Sequence, residues 1–175
     1  MTNRTHLVAQ EGGLSGAYIP MAEERANLIL KENYGISATL KRFETEKDDT
    51  FRVETAMGQK YVLKVANPEE SLEEIDFQHS ILSYVKSRDP TVPIPHAINC
   101  AAGPDIFHIT DIDGSLRYVR MLSYLDGVPL DKTHSNPHER FQIGKVLARL
   151  RHATEGFSHI AENRYCAWDV QHLLT

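Results

Sequence analysis

An α+β fold is predicted, with five strands in an antiparallel sheet, a helix packed against it, and a short linker into further helices. Three observations carry this expectation. Strand-like apolar runs come as a group of three and then a pair; a capped, acidic helix start stands between the two groups; and at Tyr124 to Pro129 the strand pattern gives way to turn residues and then to a long helical repeat. A chain of 175 residues, 41% hydrophobic and 25% charged, is sized for one core, or for one compact domain and part of a second.

Residues Met1 to Leu14 are polar, contain Gly12-Gly13 and lack the apolar run of a secretory signal or membrane span, so residues 1–18 read as a flexible leader. Pro20 then stands at a helix start, Ala22, Ala26, Ile29 and Leu30 recur at helical spacing, and Tyr34-Gly35 is the stop, giving a helix over Pro20 to Asn33. Three runs follow, Ala38 to Glu44, Thr50 to Ala56 and Lys60 to Ala66, the last two joined by Met57-Gly58-Gln59 as in an antiparallel meander.

Asn67 is expected to cap the next helix, with Pro68 in its first turn, Glu70 reaching back to the cap, and Leu72, Ile75, Ile81, Leu82 and Val85 as its apolar positions. It ends near Ser87. The extended connector Thr91-Val92-Pro93-Ile94-Pro95 leads to two more strands, Ile106 to Ile112 and Leu116 to Ser123, around the turn Asp113-Gly114-Ser115. Asn136-Pro137-His138-Glu139 opens a long helix carrying Phe141, Ile143, Val146, Leu147, Leu150 and Ala153.

Net charge is −5 with no Lys/Arg block, which argues against nucleic acid as a partner, and no apolar run argues for a membrane. Cys100 and Cys166 belong to no Cys-x-x-Cys or Cys/His cluster, so neither a zinc site nor a disulfide framework is indicated, and a reducing cytoplasm is the expected home. Asp111-Ile112-Asp113 imitates a metal motif but reads as a strand end with a turn.

The distinctive residue is Lys64, inside the apolar strand Tyr61-Val62-Leu63-Lys64-Val65-Ala66. A cation held among strand formers in a covered sheet needs an anion nearby, from the following helix or from a bound phosphate. Glu74 shares a helix face with Gln78, Ile81 and Val85, which points it inward. Asp76 lies nearer Ser80 and Ser83.

Taken together, Glu46-Lys47-Asp48-Asp49-Thr50-Phe51-Arg52-Val53, the lysine strand with Asn67-Pro68, Asp76-Phe77-Gln78, Val92-Pro93-Ile94-Pro95, Val119 to Gly127 and Trp168-Asp169 resemble the aminoglycoside phosphotransferase/choline kinase superfamily. The resemblance runs from about Tyr34 onward and is closest to the hydroxylysine-kinase-like branch, which includes phosphotransferase domains fused to class III aminotransferases. It implies a kinase-like small, nucleotide-binding lobe over residues 19–123, a hinge over 124–129, and the start of a helical lobe over 130–175, the chain stopping about where substrate-binding helices should begin.

By the same resemblance, Lys64 grips the α- and β-phosphates of ATP, and an acid on the helix orients it. Glu74 is favoured for that role on geometry, Asp76 is the alternative from the family pattern, and Gln78 is a third candidate for the inward place. The loop Thr45 to Asp49 takes the position of a phosphate-covering loop without any glycine, its backbone N–H groups and the Thr50 hydroxyl serving as donors. Asp48 and Asp49 would oppose phosphate unless a metal intervenes. Ser123, Tyr124 and Leu125 match the hinge that pairs with adenine, with Val62 and Leu122 against the base.

Catalysis in this superfamily also needs a His-x-Asp-x-x-x-x-Asn-like loop and a later magnesium-binding Asp, yet none of the nine histidines has Asp two residues on. No catalytic residue or metal ligand is therefore assigned within these 175 residues, and magnesium ligands are expected beyond them. The expectation is the nucleotide-binding portion of an ATP-dependent phosphotransferase, with Mg2+, acting on a hydroxyl of an amino alcohol or hydroxylated amino acid and not competent alone. A non-catalytic binding module, or a regulatory domain of an aminotransferase fusion, is the alternative. Self-association through apolar surface is expected as well.

Overall fold

The computed structural model describes residues 18–164, apart from 46 and 102. The leader expected over 1–18 therefore lies almost wholly outside the described residues, as do Cys166, Trp168 and Asp169. In chain order the elements are helix α1 (Glu23–Tyr34), strands β1 (Ala38–Arg42), β2 (Asp49–Thr55) and β3 (Lys60–Val65), helix α2 (Leu72–Arg88), strands β4 (Phe107–Thr110) and β5 (Leu116–Ser123), a 3-10 turn at Leu130–Lys132, and helix α3 (Pro137–Ala153).

The five strands form one antiparallel sheet in the order β1-β2-β3-β5-β4. Side chains alternate between its faces. Leu40, Phe51, Val53, Leu63, Val65, Val119 and Met121 point to one side, where Ala26, Ile29 and Leu30 of α1 close the main core. That α1 covers this face follows from its apolar stripe. It stops at Gly35, whose φ of 65° is the left-handed C-cap that glycine adopts without strain.

Residues 96–98 pair with β5 on the edge that it shares with β4: Ser123 N–H donates to the His96 carbonyl (2.8 Å) and Ile98 N–H to that of Met121 (2.9 Å). A smaller cluster joins α2 to α3 through Val85, Val92 and Ala153, with Ile81, Ile94 and Leu150 packed around it. No helix among the described residues is long and apolar enough to cross a membrane.

The start of α2 differs from expectation. Asn67 caps a single turn, its side chain accepting from Glu69 N–H (2.9 Å), but the helix begins four residues later behind Ser71. Two capping signals stand in tandem here. Ser71 and Glu74 form a reciprocal capping box, whereas Glu70 is drawn inward to other partners, so the second signal starts the helix. In α3 the expected Asn136 cap and Glu139 form the same kind of box.

Candidate functional site

The sheet face opposite α1 carries the residues out of phase with the core. Register places Thr50 beside Lys64 and Lys64 beside Arg120, with Arg52, Val62 and Leu122 in the next row. Asp48 precedes β2 in the same parity as Thr50 and Arg52, and its carboxylate lies 2.9 Å from the Lys64 ammonium. The lysine side chain is 24% exposed while that of Asp48 is 7% exposed, so the lysine stays partly in solvent and its acid is nearly enclosed.

Burial pushes the Asp48 carboxyl up, but the charge and hydrogen bond of Lys64, the charge of Arg120 and the Asn67 N–H (3.3 Å) together hold it below the usual carboxylate range. Thr45 Oγ1 donates to the Asp48 carbonyl at 2.5 Å and shapes the glycine-free loop. Next to this pair, the Thr50 hydroxyl is buried with no hydrogen-bond partner. A buried hydroxyl left unpaired costs free energy, and an oxygen-rich ligand beside Lys64 would satisfy it.

Helix α2 reaches this face through Gln78. Arg120, 3% exposed, donates to Gln78 Oε1 (2.6 Å); Gln78 Nε2 donates to Glu70 Oε1 (2.9 Å), which also accepts from Lys47 (3.2 Å). Burial depresses the Arg120 pKa, opposed by the charges of Glu70 and Asp48. The second Glu70 oxygen is buried and unpartnered. A groove of about 600 Å3, lined in part by Thr39, Lys41, Arg52 and Glu54, continues along the face on β1 and β2.

At the far end, Arg52 and Lys60 sit over the Tyr124 ring at 5.5 and 5.7 Å, and Lys60 pairs with Asp126 at 2.5 Å. The linker is thus tied to β3. Ser123 N–H is already engaged by the His96 carbonyl.

Several residues singled out from the sequence stand elsewhere. Glu74 folds back to the Ser71 N–H (3.2 Å), because the third helical position of a capping box aims its carboxylate at the cap, and it does not pair with Lys64. Asp76 meets His159 at 2.9 Å instead. Asp49, fully buried, faces the core side: it accepts from Met21 N–H (2.9 Å) and Arg117 (2.7 Å) and pairs with Arg42, while Arg117 also holds Asp111 at 2.9 Å. Those contacts leave Asp49 no route to a phosphate.

Strand parity was the signal for both aspartates, since Asp49 shares the phase of Phe51 and Val53 and Asp48 that of Thr50 and Arg52. Arg120 carried no comparable sequence signal. Among the described residues, no group of three or more His, Cys, Asp or Glu is placed to hold a metal ion, and Asp113 caps its own turn by accepting from Ser115 (2.9 Å).

Comparison with known proteins bears on what this face serves. Residues 39–173 match the model of the phosphotransferase enzyme family. Hydroxylysine kinase of Mus musculus is 28% identical over 152 residues, 78% of this chain and 39% of the relative, and that of Xenopus laevis is 27% identical over 158 residues, covering 83% and 41%. The chain therefore spans about two fifths of the length of these relatives.

Among solved structures, a microcompartment-associated aminopropanol kinase superposes with a TM-score of 0.60 at 19% identity, over 83% of this chain and 45% of its own. An amicoumacin kinase solved with AMP-PNP, Ca2+ and Ami gives 0.54 at 16% identity, over 68% and 35%. At these identities the likeness is one of fold: the five-stranded sheet and its helices are the small lobe of a kinase-like architecture. Since the family match begins within β1 and continues past α3, through the strands and helix that build the Lys64 face, the chain belongs to the phosphotransferase enzyme family.

Proposed function

We propose that this chain is the nucleotide-binding portion of an ATP-dependent small-molecule phosphotransferase, whose acceptor in the whole protein is the hydroxyl of an amino alcohol or hydroxylated amino acid. One observation carries the reading: Lys64, its side chain partly exposed, stands on the sheet face opposite α1 beside a buried hydroxyl, Thr50, that lacks any partner. A compact point charge on a stiff strand suits the α- and β-phosphates of ATP. Thr50 Oγ1 donates to a phosphate oxygen in this arrangement, and Val62 and Leu122 flank the base near Tyr124 and Leu125.

The acceptor class is supported by hydroxylysine kinases among the relatives and an aminopropanol kinase among the folds. The pairing of nucleotide and divalent ion is supported by the amicoumacin kinase complex with AMP-PNP and Ca2+. Magnesium enters with ATP, and the described residues do not form a site for it. Positioning and charge compensation dominate phosphoryl transfer, so a chain with the lysine but no base-bearing loop binds nucleotide weakly and transfers nothing by itself.

The test is calorimetric titration of this chain and of the full-length protein with Mg-ATP, alongside Lys64→Ala. Weak binding by the chain, tighter binding by the full-length protein and loss of most activity in the variant are expected. Turnover unchanged by Lys64→Ala removes the lysine from the mechanism, and phosphoryl transfer at an enzymatic rate by the 175-residue chain refutes its incompetence.

A further inference from the structure

An ammonium that must meet a phosphate in a fixed place needs an acid to hold its four-carbon stem, and helix α2 does not supply one. Glu74 is folded into the capping box, Asp76 is engaged by His159, and the residue that faces the sheet, Gln78, is neutral and already bonded to Arg120 and Glu70. Arg120, beside Lys64 in the register, would itself repel the ammonium from that side. The acid comes instead from the loop ahead of β2.

We propose that Asp48, on the loop ahead of β2, is the positioning residue that holds the Lys64 ammonium in place. The inference rests on the phosphotransferase reading above and deepens it. An ammonium has three N–H donors. Asp48 Oδ2 takes one at 2.9 Å, leaving two on a side chain that is 24% exposed and free to meet phosphate oxygens.

The carboxylate is itself fixed. Its other oxygen accepts from Asn67 N–H, its own carbonyl accepts from Thr45, and the preceding residue, Lys47, is bound to Glu70. The chain Arg120–Gln78–Glu70 ties α2 to the sheet, and the helix residue that faces Lys64, Gln78, carries no charge.

The test uses the full-length protein with Asp48→Asn, Asp48→Glu and Glu74→Gln, reading Mg-ATP affinity by calorimetry, kcat and KM for ATP, and the 15N-labelled Lys64 Nζ resonance. Losing one charge-assisted bond at a partly buried ammonium should raise KM for ATP about tenfold in Asp48→Asn. Asp48→Glu, which displaces the carboxylate by one methylene, should fall between it and the wild type. The Lys64 Nζ signal should shift in Asp48→Asn before any nucleotide is added.

Unchanged or tightened ATP binding in Asp48→Asn overturns the proposal, the tighter case showing that Asp48 competes with phosphate. Loss of affinity in Glu74→Gln in its place returns the role to the helix. If Asp48→Asn does not fold, Asp48→Glu decides alone, and a KM equal to the wild type counts against the inference. Wild-type protein that binds no Mg-ATP overturns the nucleotide reading, whereas an unmoved Nζ signal overturns the Asp48 assignment whatever the binding result.

Discussion

Lys64 and Arg117 show two uses of a cation in one sheet. Lys64 keeps part of its side chain in solvent, while Arg117, 1% exposed, is closed in by Asp49, Asp111 and the Val65 and Ala66 carbonyls, with Tyr18 over its plane at 4.7 Å. Replacing Arg117 by Leu leaves the buried Asp111 without its cation and Asp49 with Arg42 alone, and urea unfolding should show a loss of about 3–5 kcal/mol. At Lys64 the reverse holds: Lys64→Arg should keep the fold but lose ATP turnover, because a planar fork replaces a compact ammonium.

Acid sensitivity is set at the same scale. Hydrogen bonds from Thr91 and Arg149 lower the Asp89 pKa to about 2, below its unfolded value of about 3.9. A depressed folded pKa makes the contribution complete above the unfolded value and lost as pH falls through the folded one. Asp48 acts in the same direction. Thermal melts should therefore fall between pH ~4 and ~2, and less steeply in Arg149→Gln.

Among the elements, α2 is the instructive case. Its N-terminus depends on the Ser71–Glu74 box, so Ser71→Ala should lower stability by about 1 kcal/mol in thermal denaturation, whereas a helix begun at Asn67 would be indifferent to it. At its C-terminus Asp89 binds Arg149 of α3 at 2.7 Å, Tyr84 donates to the Glu155 carbonyl at 2.9 Å, and Val85, Val92 and Ala153 close the cluster between them. The strands were legible because period-two alternation and turn chemistry agree, as at Asp111 to Ser115, where Gly114 takes a φ of 83°. The start of α2 was misread because two caps lie four residues apart and only packing chooses between them.

Over the whole molecule, apolar side chains remain outside both cores. Phe141 and Leu147 on α3 are 65% and 59% exposed, and Val128 and Leu130 in the linker are 68% and 61% exposed. An apolar set of this kind favours association. Sedimentation of the 175-residue chain should show concentration-dependent self-association, reduced by Phe141→Ser with Leu147→Ser; a monomer at every concentration would contradict it.

The sequence by itself determined the strand count, the lysine strand and the helix that follows it, because each is written in local alternation, capping and turn residues whose physics acts within a few positions. Only the tertiary structure decided which acid meets Lys64. Asp48, Asp49, Glu70, Glu74 and Asp76 are alike as carboxylates, and their roles separate through strand parity, a capping box and the arginines that register brings beside them, which are relations between segments far apart in the chain.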